Sequence, residues 1–155
     1  MSSVAQVFSK VLYSTASAAE SVGGKKIPIS PGWSWQKGLT SASMPEGFLI
    51  SGTSKQYDGA GFPAMYDPGK FSSLRLKIVN PDNPKSTVGL VDISVKFGEA
   101  DGPSIHVESI GKDGYVKVLI PATAKYLGGQ NKLQFMVAPA GQKVHMMISN
   151  IEFLK

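Results

Sequence analysis

An antiparallel β-sandwich or jelly roll of about seven or eight strands, preceded by an N-terminal helix and an extended arm, is the fold this sequence predicts. Three observations point there. Apolar and polar residues alternate with period two in short runs from Phe48 onward, Gly, Pro, Asn and Asp punctuate those runs, and no helical period intervenes between residues 70 and 155. A parallel α/β architecture would need crossover helices in that interval.

The first stretch differs from the rest. Val4, Val7, Phe8, Val11 and Leu12 recur at the spacing that stacks side chains on one helical face, which predicts an amphipathic helix over about residues 3–20. Ser2 or Ser3 is placed to cap its start and Gly23-Gly24 to end it. A strand competes there, because Val, Ser and Thr are weak helix formers and Val7, Val11 and Tyr13 also alternate. Residues 24–45 carry Pro28, Pro31, Gly32, Gly38 and Pro45, which reads as extended, irregular chain. Residues 1–45 are therefore expected to be an amphipathic segment and arm, and 46–155 the β-sandwich domain. Trp33 and Trp35 sit two apart in the arm, so an extended backbone projects both rings from one face.

Within the sandwich, Phe48–Ile50 is a short strand, followed by a long loop holding Asp58-Gly59, Gly61, Pro63 and Pro68-Gly69. Leu74, Leu76 and Ile78 alternate with Arg75 and Lys77 before the turn Asn80-Pro81-Asp82-Asn83-Pro84. Val91, Ile93, Val95 and Phe97 alternate with Asp92, Ser94 and Lys96 in the cleanest strand of the chain. Ile105 and Val107 oppose His106 and Glu108, Val116, Val118 and Ile120 share a face, and Leu133, Phe135 and Val137 follow. In the last run Val144, Met146 and Ile148 alternate, and Ile151 and Phe153 resume the pattern.

The 155 residues suit one domain able to bury its own core without metal or disulfide staples, and there is no cysteine to make them. Charged residues make up 17%, below the usual share of about 25%, so the surface must be largely Ser, Thr, Gly, Asn and apolar atoms. The net charge of +5 comes from fifteen lysines and one arginine, Arg75, spread along the chain. Nucleic-acid binding, which favours clustered arginine, is not expected. The chain shows neither a secretory signal pattern nor an apolar run long enough for a membrane span, and reads as a soluble product of the cytoplasm.

Catalytic motifs are missing. The two histidines, His106 and His145, fall in strand patterns, with no HExxH pair and no Gly-x-Ser-x-Gly elbow. Gly23-Gly24-Lys25-Lys26 lacks phosphate-loop spacing. Glu99, Asp101 and Glu108, and likewise Asp58 and Asp67, group around turns that could offer oxygen ligands to calcium, but the twelve-residue calcium loop is absent. No enzyme, cofactor or metal is expected. Trp33, Trp35, Tyr57, Phe62 and Tyr66 all lie in segments read as loop or arm. Rings there either plug the sandwich or face a partner.

The stretch from Gly114 to the Pro121 stop, then Asn131, Leu133 and Phe135, then Asn150, Ile151 and Phe153 resembles the closing strands of jelly-roll carbohydrate-binding modules. That likeness covers about a quarter of the chain and implies architecture more than activity. In overall profile the chain is also similar to phage capsid decoration, or cement, proteins, which join a terminal arm to a compact β domain. The second likeness implies a non-enzymatic structural protein of the virion, made in the host cytoplasm. It would be a homo-oligomer and grip a major capsid protein through Val4, Val7, Phe8, Val11, Leu12, Trp33 and Trp35. The alternative is a carbohydrate-binding module that holds a polysaccharide with loop aromatics, Tyr57, Phe62 and Tyr66.

Overall fold

The computed structural model describes residues 24–125 and 131–155. The helix expected near the N-terminus, with Val4, Val7, Phe8, Val11 and Leu12, lies outside the described residues. Among those described there are eleven strands and two short 3₁₀ turns, Pro68–Lys70 and Val107–Ser109. The strands are β1 (Lys25–Lys26), β2 (Trp33–Ser34), β3 (Leu39–Met44), β4 (Gly47–Thr53), β5 (Asp58–Ala64), β6 (Ser73–Val79), β7 (Ile93–Phe97), β8 (Ala100–Ile105), β9 (Tyr115–Leu119), β10 (Asn131–Val137) and β11 (Lys143–Leu154).

They form two antiparallel sheets. The first has the order β3-β4-β11-β6-β9, with β1 also paired to β11, and the second runs β2-β5-β10-β7-β8. Alternation does what the sequence predicts: Leu74, Leu76 and Ile78 of one sheet and Ile93, Val95 and Phe97 of the other are buried between the layers. Aromatic rings fill the middle, with Phe48 and Phe62 at 5.0 Å and Tyr66 stacked on Phe153 at 4.5 Å between centroids.

The long β11 contains its own irregularity. Its buried residues change from even positions, Val144, Met146 and Ile148, to odd ones, Ile151 and Phe153, and a β-bulge lies between Ser149 and Glu152, with Asn150 at φ 49°. One extra residue resets which side chains face inward, so the parity change in the sequence is the signature of the bulge.

Three expectations are corrected. Residues 24–45 are not a free arm: β1 pairs with β11, β2 with β5, and β3 forms a hairpin with β4 around Pro45-Glu46. Backbone groups of this Pro- and Gly-rich stretch find their partners in both sheets, so it belongs to the sandwich. The loop expected between Phe48–Ile50 and Leu74 contains β5, an interior strand. Its Gly59, Gly61 and Pro63 read as breakers, yet they alternate with Ala60, Phe62 and Ala64, whose side chains enter the core. Pro63 is tolerated because it lies beyond the short stretch, Ala60 and Gly61, that pairs with β2. Finally, β8 ends at Ile105, and Val107 turns with Glu108 and Ser109 instead of continuing the ladder.

Candidate functional site

The outer face of the five-stranded sheet is organised by register. Trp33 pairs with Gly61, Gly61 with Gln134, Gln134 with Lys96 and Lys96 with Asp101, so these five residues form one row crossing every strand. At about 4.8 Å per strand the row is roughly 19 Å long. A parallel row runs through Gly59, Met136, Ser94 and Ser104. Ala60, Phe62, Leu133, Phe135 and Val95 project the other way, into the core.

Trp33 and Trp35 stand at one end of this face, on the edge strand, as the i, i+2 spacing predicts. The backbone N–H of Trp35 donates to Gly59 O at 3.2 Å, extending the pairing begun by Trp33 and Ser34. The Trp35 ring occupies the space above Gly59: a β-carbon added at Gly59 would come within 2.3 Å of it. At Gly61 an added β-carbon would meet the Gln134 side chain at 2.6 Å. The glycines that disguise β5 in the sequence are thus what lets the outer side chains lie down on the sheet. Trp35 is half-buried, Trp33 is 36% exposed and the neighbouring Tyr57 is 57% exposed.

Asp58 holds this corner together. Its buried carboxylate accepts backbone N–H groups from Gln36 and Gly59 on one oxygen and from Gly38, Leu39 and Lys55 on the other, at 2.8–3.2 Å. Burial by itself raises the carboxyl pKa, but the amides of Lys55, Gly59, Gln36 and Leu39 outweigh it and hold the group below its ordinary value. The segment after Trp35 is thereby tied to the start of β5. The indole Nε1 closes the link by donating to Tyr57 O at 2.6 Å.

Polar groups occupy the other end. Lys96 lies 3.8 Å from Asp101, and Lys132 pairs with Glu99, whose carboxyl is held below its ordinary value by that hydrogen bond and charge. Gln134 donates to Gly98 O at 3.1 Å. Flat rings at one end and paired donors and acceptors at the other are the components from which ligand sites are built.

Of the expected ligand-binding aromatics, only Tyr57 reaches solvent. Phe62 is fully buried because its parity on β5 points inward, and Tyr66 is buried on Phe153 with its hydroxyl donating to Lys132 O. Of the acidic groups around those turns, Glu108 is exposed and the others are engaged elsewhere. Asp58 accepts five amides, Asp67 accepts Gly69 N–H at 3.0 Å, and Glu99 and Asp101 face lysines. Among the described residues no three His, Asp or Glu side chains converge as a metal site would need. The two histidines do not meet either, His106 lying 3.1 Å from Asp92 and His145 2.8 Å from Asp82.

No protein-family model matches the chain, and no curated protein matches it in sequence. Solved structures do. A carbohydrate-binding module of family 29 superposes with a TM-score of 0.52 at 14% identity, over 87% of this chain and 89% of that one. A mutant of such a module complexed with mannohexaose gives 0.52 and 14% over 87% and 92%, and one complexed with cellulohexaose 0.51 and 14% over 84% and 90%. The fold resembles the jelly-roll sandwich of these modules. At such identity the likeness establishes architecture alone. It also overturns the capsid decoration reading, which rested on overall profile and on a free arm. The matched folds are sugar-binding modules, and the described part of the arm is paired into the sheets.

Proposed function

We propose that this protein binds a linear polysaccharide across the outer face of its five-stranded sheet, without catalysing a reaction. The observation that carries the reading is the pair Trp33 and Trp35, presented side by side on that face beside exposed Tyr57, at the head of the row Gly61, Gln134, Lys96 and Asp101. A pyranose has an apolar C–H face and a rim of hydroxyls. The rings offer area to the first, and the Lys96–Asp101 and Lys132–Glu99 pairs offer hydrogen bonds to the second. Titration of mannohexaose and cellulohexaose, the sugars held by the structural neighbours, tests the proposal through tryptophan fluorescence and calorimetry. Binding of at least one hexasaccharide or its parent polysaccharide is expected. The combined Trp33→Ala and Trp35→Ala variant should weaken it about 100-fold, or about 2.7 kcal/mol. A flat response across β-linked glucans and mannans, or undiminished binding by the double variant, rejects the proposal.

A further inference from the structure

The loops at one end of the sandwich border an open cavity of about 160 Å³ that shares no residue with the tryptophan face. Its apolar side is made by Ile78, Leu90, Val107 and Ile110, and Lys85 and Lys112 line it as well. We infer that this cavity is a second binding site, which takes a six-membered ring bearing one carboxylate.

Size sets the ring. A space of about 150 Å³ accommodates a benzene-sized molecule, so one ring fits within these walls. Charge sets the substituent. The two loops, 80–92 and 106–114, carry four carboxylates, and three are turned onto other groups: Asp82 onto His145, Asp92 onto His106 and the Val107 N–H, and Asp113 onto the Tyr115 N–H. The fourth, Glu108, is exposed and does not line the cavity. Among the described residues neither Lys85 nor Lys112 has a carboxylate partner. Two cations beside an apolar wall, with three of the four local carboxylates turned onto other groups and the fourth outside the lining, favour a monoanionic ring over a neutral one.

The walls are built in advance. The Asn80 side chain donates to Val88 O at 2.7 Å and accepts the Asp82 and Asn83 N–H groups, while Ser86 N–H donates to Asn83 O and Leu90 N–H to Thr87 O. On the opposite loop, Ile110 N–H donates to Val107 O, and Gly111 and Tyr115 are joined backbone to backbone. His145 N–H donates to Gly89 O at 2.8 Å and anchors the first loop on β11. Loops already ordered lose little freedom when a ligand enters, which lets a small molecule bind measurably.

The test is a methyl-detected NMR titration of the full chain with glucuronate, benzoate, glucose and benzyl alcohol. The two acids should shift the Ile78, Leu90, Val107 and Ile110 methyls with a Kd on the order of 1 mM, as suits about a dozen heavy atoms. The neutral analogues should bind at least tenfold more weakly, and added salt should weaken the acids. Whichever acid binds more tightly identifies the source as a uronic sugar or an aromatic acid. The Lys85→Ala and Lys112→Ala double variant, whose exposed side chains leave the fold intact, should lose at least tenfold in affinity for both. Equal shifts from acids and neutral analogues, no shift up to about 20 mM, or unchanged binding by the double variant overturns the inference. None of these results depends on the hexasaccharide titration, which reads the tryptophans on the other surface.

Discussion

The outer faces of the two sheets are built to opposite ends. On the six-stranded sheet, Arg75 and Glu152 face each other across β6 and β11 at 3.0 Å, both nearly buried, with the guanidinium 5.0 Å from the Tyr115 ring centre. Their opposite charges are in direct contact. On the five-stranded sheet the rings of Trp33 and Tyr57 remain in reach of solvent, and the lysine–acid pairs lie at the rim, where ion pairs contribute little to stability. One face uses polar residues to hold the fold, and the other leaves them at the surface.

Substitutions that separate stability from binding test that contrast. Arg75→Ala removes the guanidinium from a buried carboxylate and should cost about 4 kcal/mol in urea unfolding, while the folded fraction binds sugar with unchanged affinity. Loss of sugar binding in step with the first face would break the comparison. Asp58→Ala should cost about 3 kcal/mol, because several amides lose their acceptor, and should also weaken sugar binding by loosening the anchor beneath Trp35 and Tyr57. This effect carries a pH signature. The folded pKa of Asp58 lies below its ordinary value of 3.8, so its stabilisation is complete above that value and is lost as pH falls through the lower folded one. An acid titration of thermal stability should therefore flatten below pH 4 in Asp58→Asn relative to the parent. Gly61→Ala, which brings a methyl within 2.7 Å of Leu133 O and 2.6 Å of Gln134, should cost about 2 kcal/mol. Trp33→Ala has the smallest expected effect on stability, about 1 kcal/mol in thermal unfolding, since Trp33 sits on an edge strand and is 36% exposed.

How much of this was legible without coordinates follows from the range of each signal. Alternation is local, so the strands around Leu74–Ile78, Ile93–Phe97 and Leu133–Val137 could be read from the order of residues, while the bulge in β11 became visible only in the pairing. The shared direction of Trp33 and Trp35 followed from their spacing alone. β5 was hidden because Gly59, Gly61 and Pro63 carry turn signals whose meaning reverses once side chains from neighbouring strands lie over them. Asp58 was legible as a turn residue but not as an anchor, because its amide partners at Gln36, Gly38 and Leu39 are some twenty positions away.

The sequence by itself determined the two-layer β architecture and which face of most strands is apolar, since both follow from period-two patterning. Only the tertiary structure decided that residues 24–44 join the sheets, that Phe62 and Tyr66 are core while Tyr57 is surface, and that Trp33, Gln134, Lys96 and Asp101 stand in one row. Strand neighbours are chosen by contacts between residues far apart in the chain. A local pattern can specify where a side chain points, but not what it points beside.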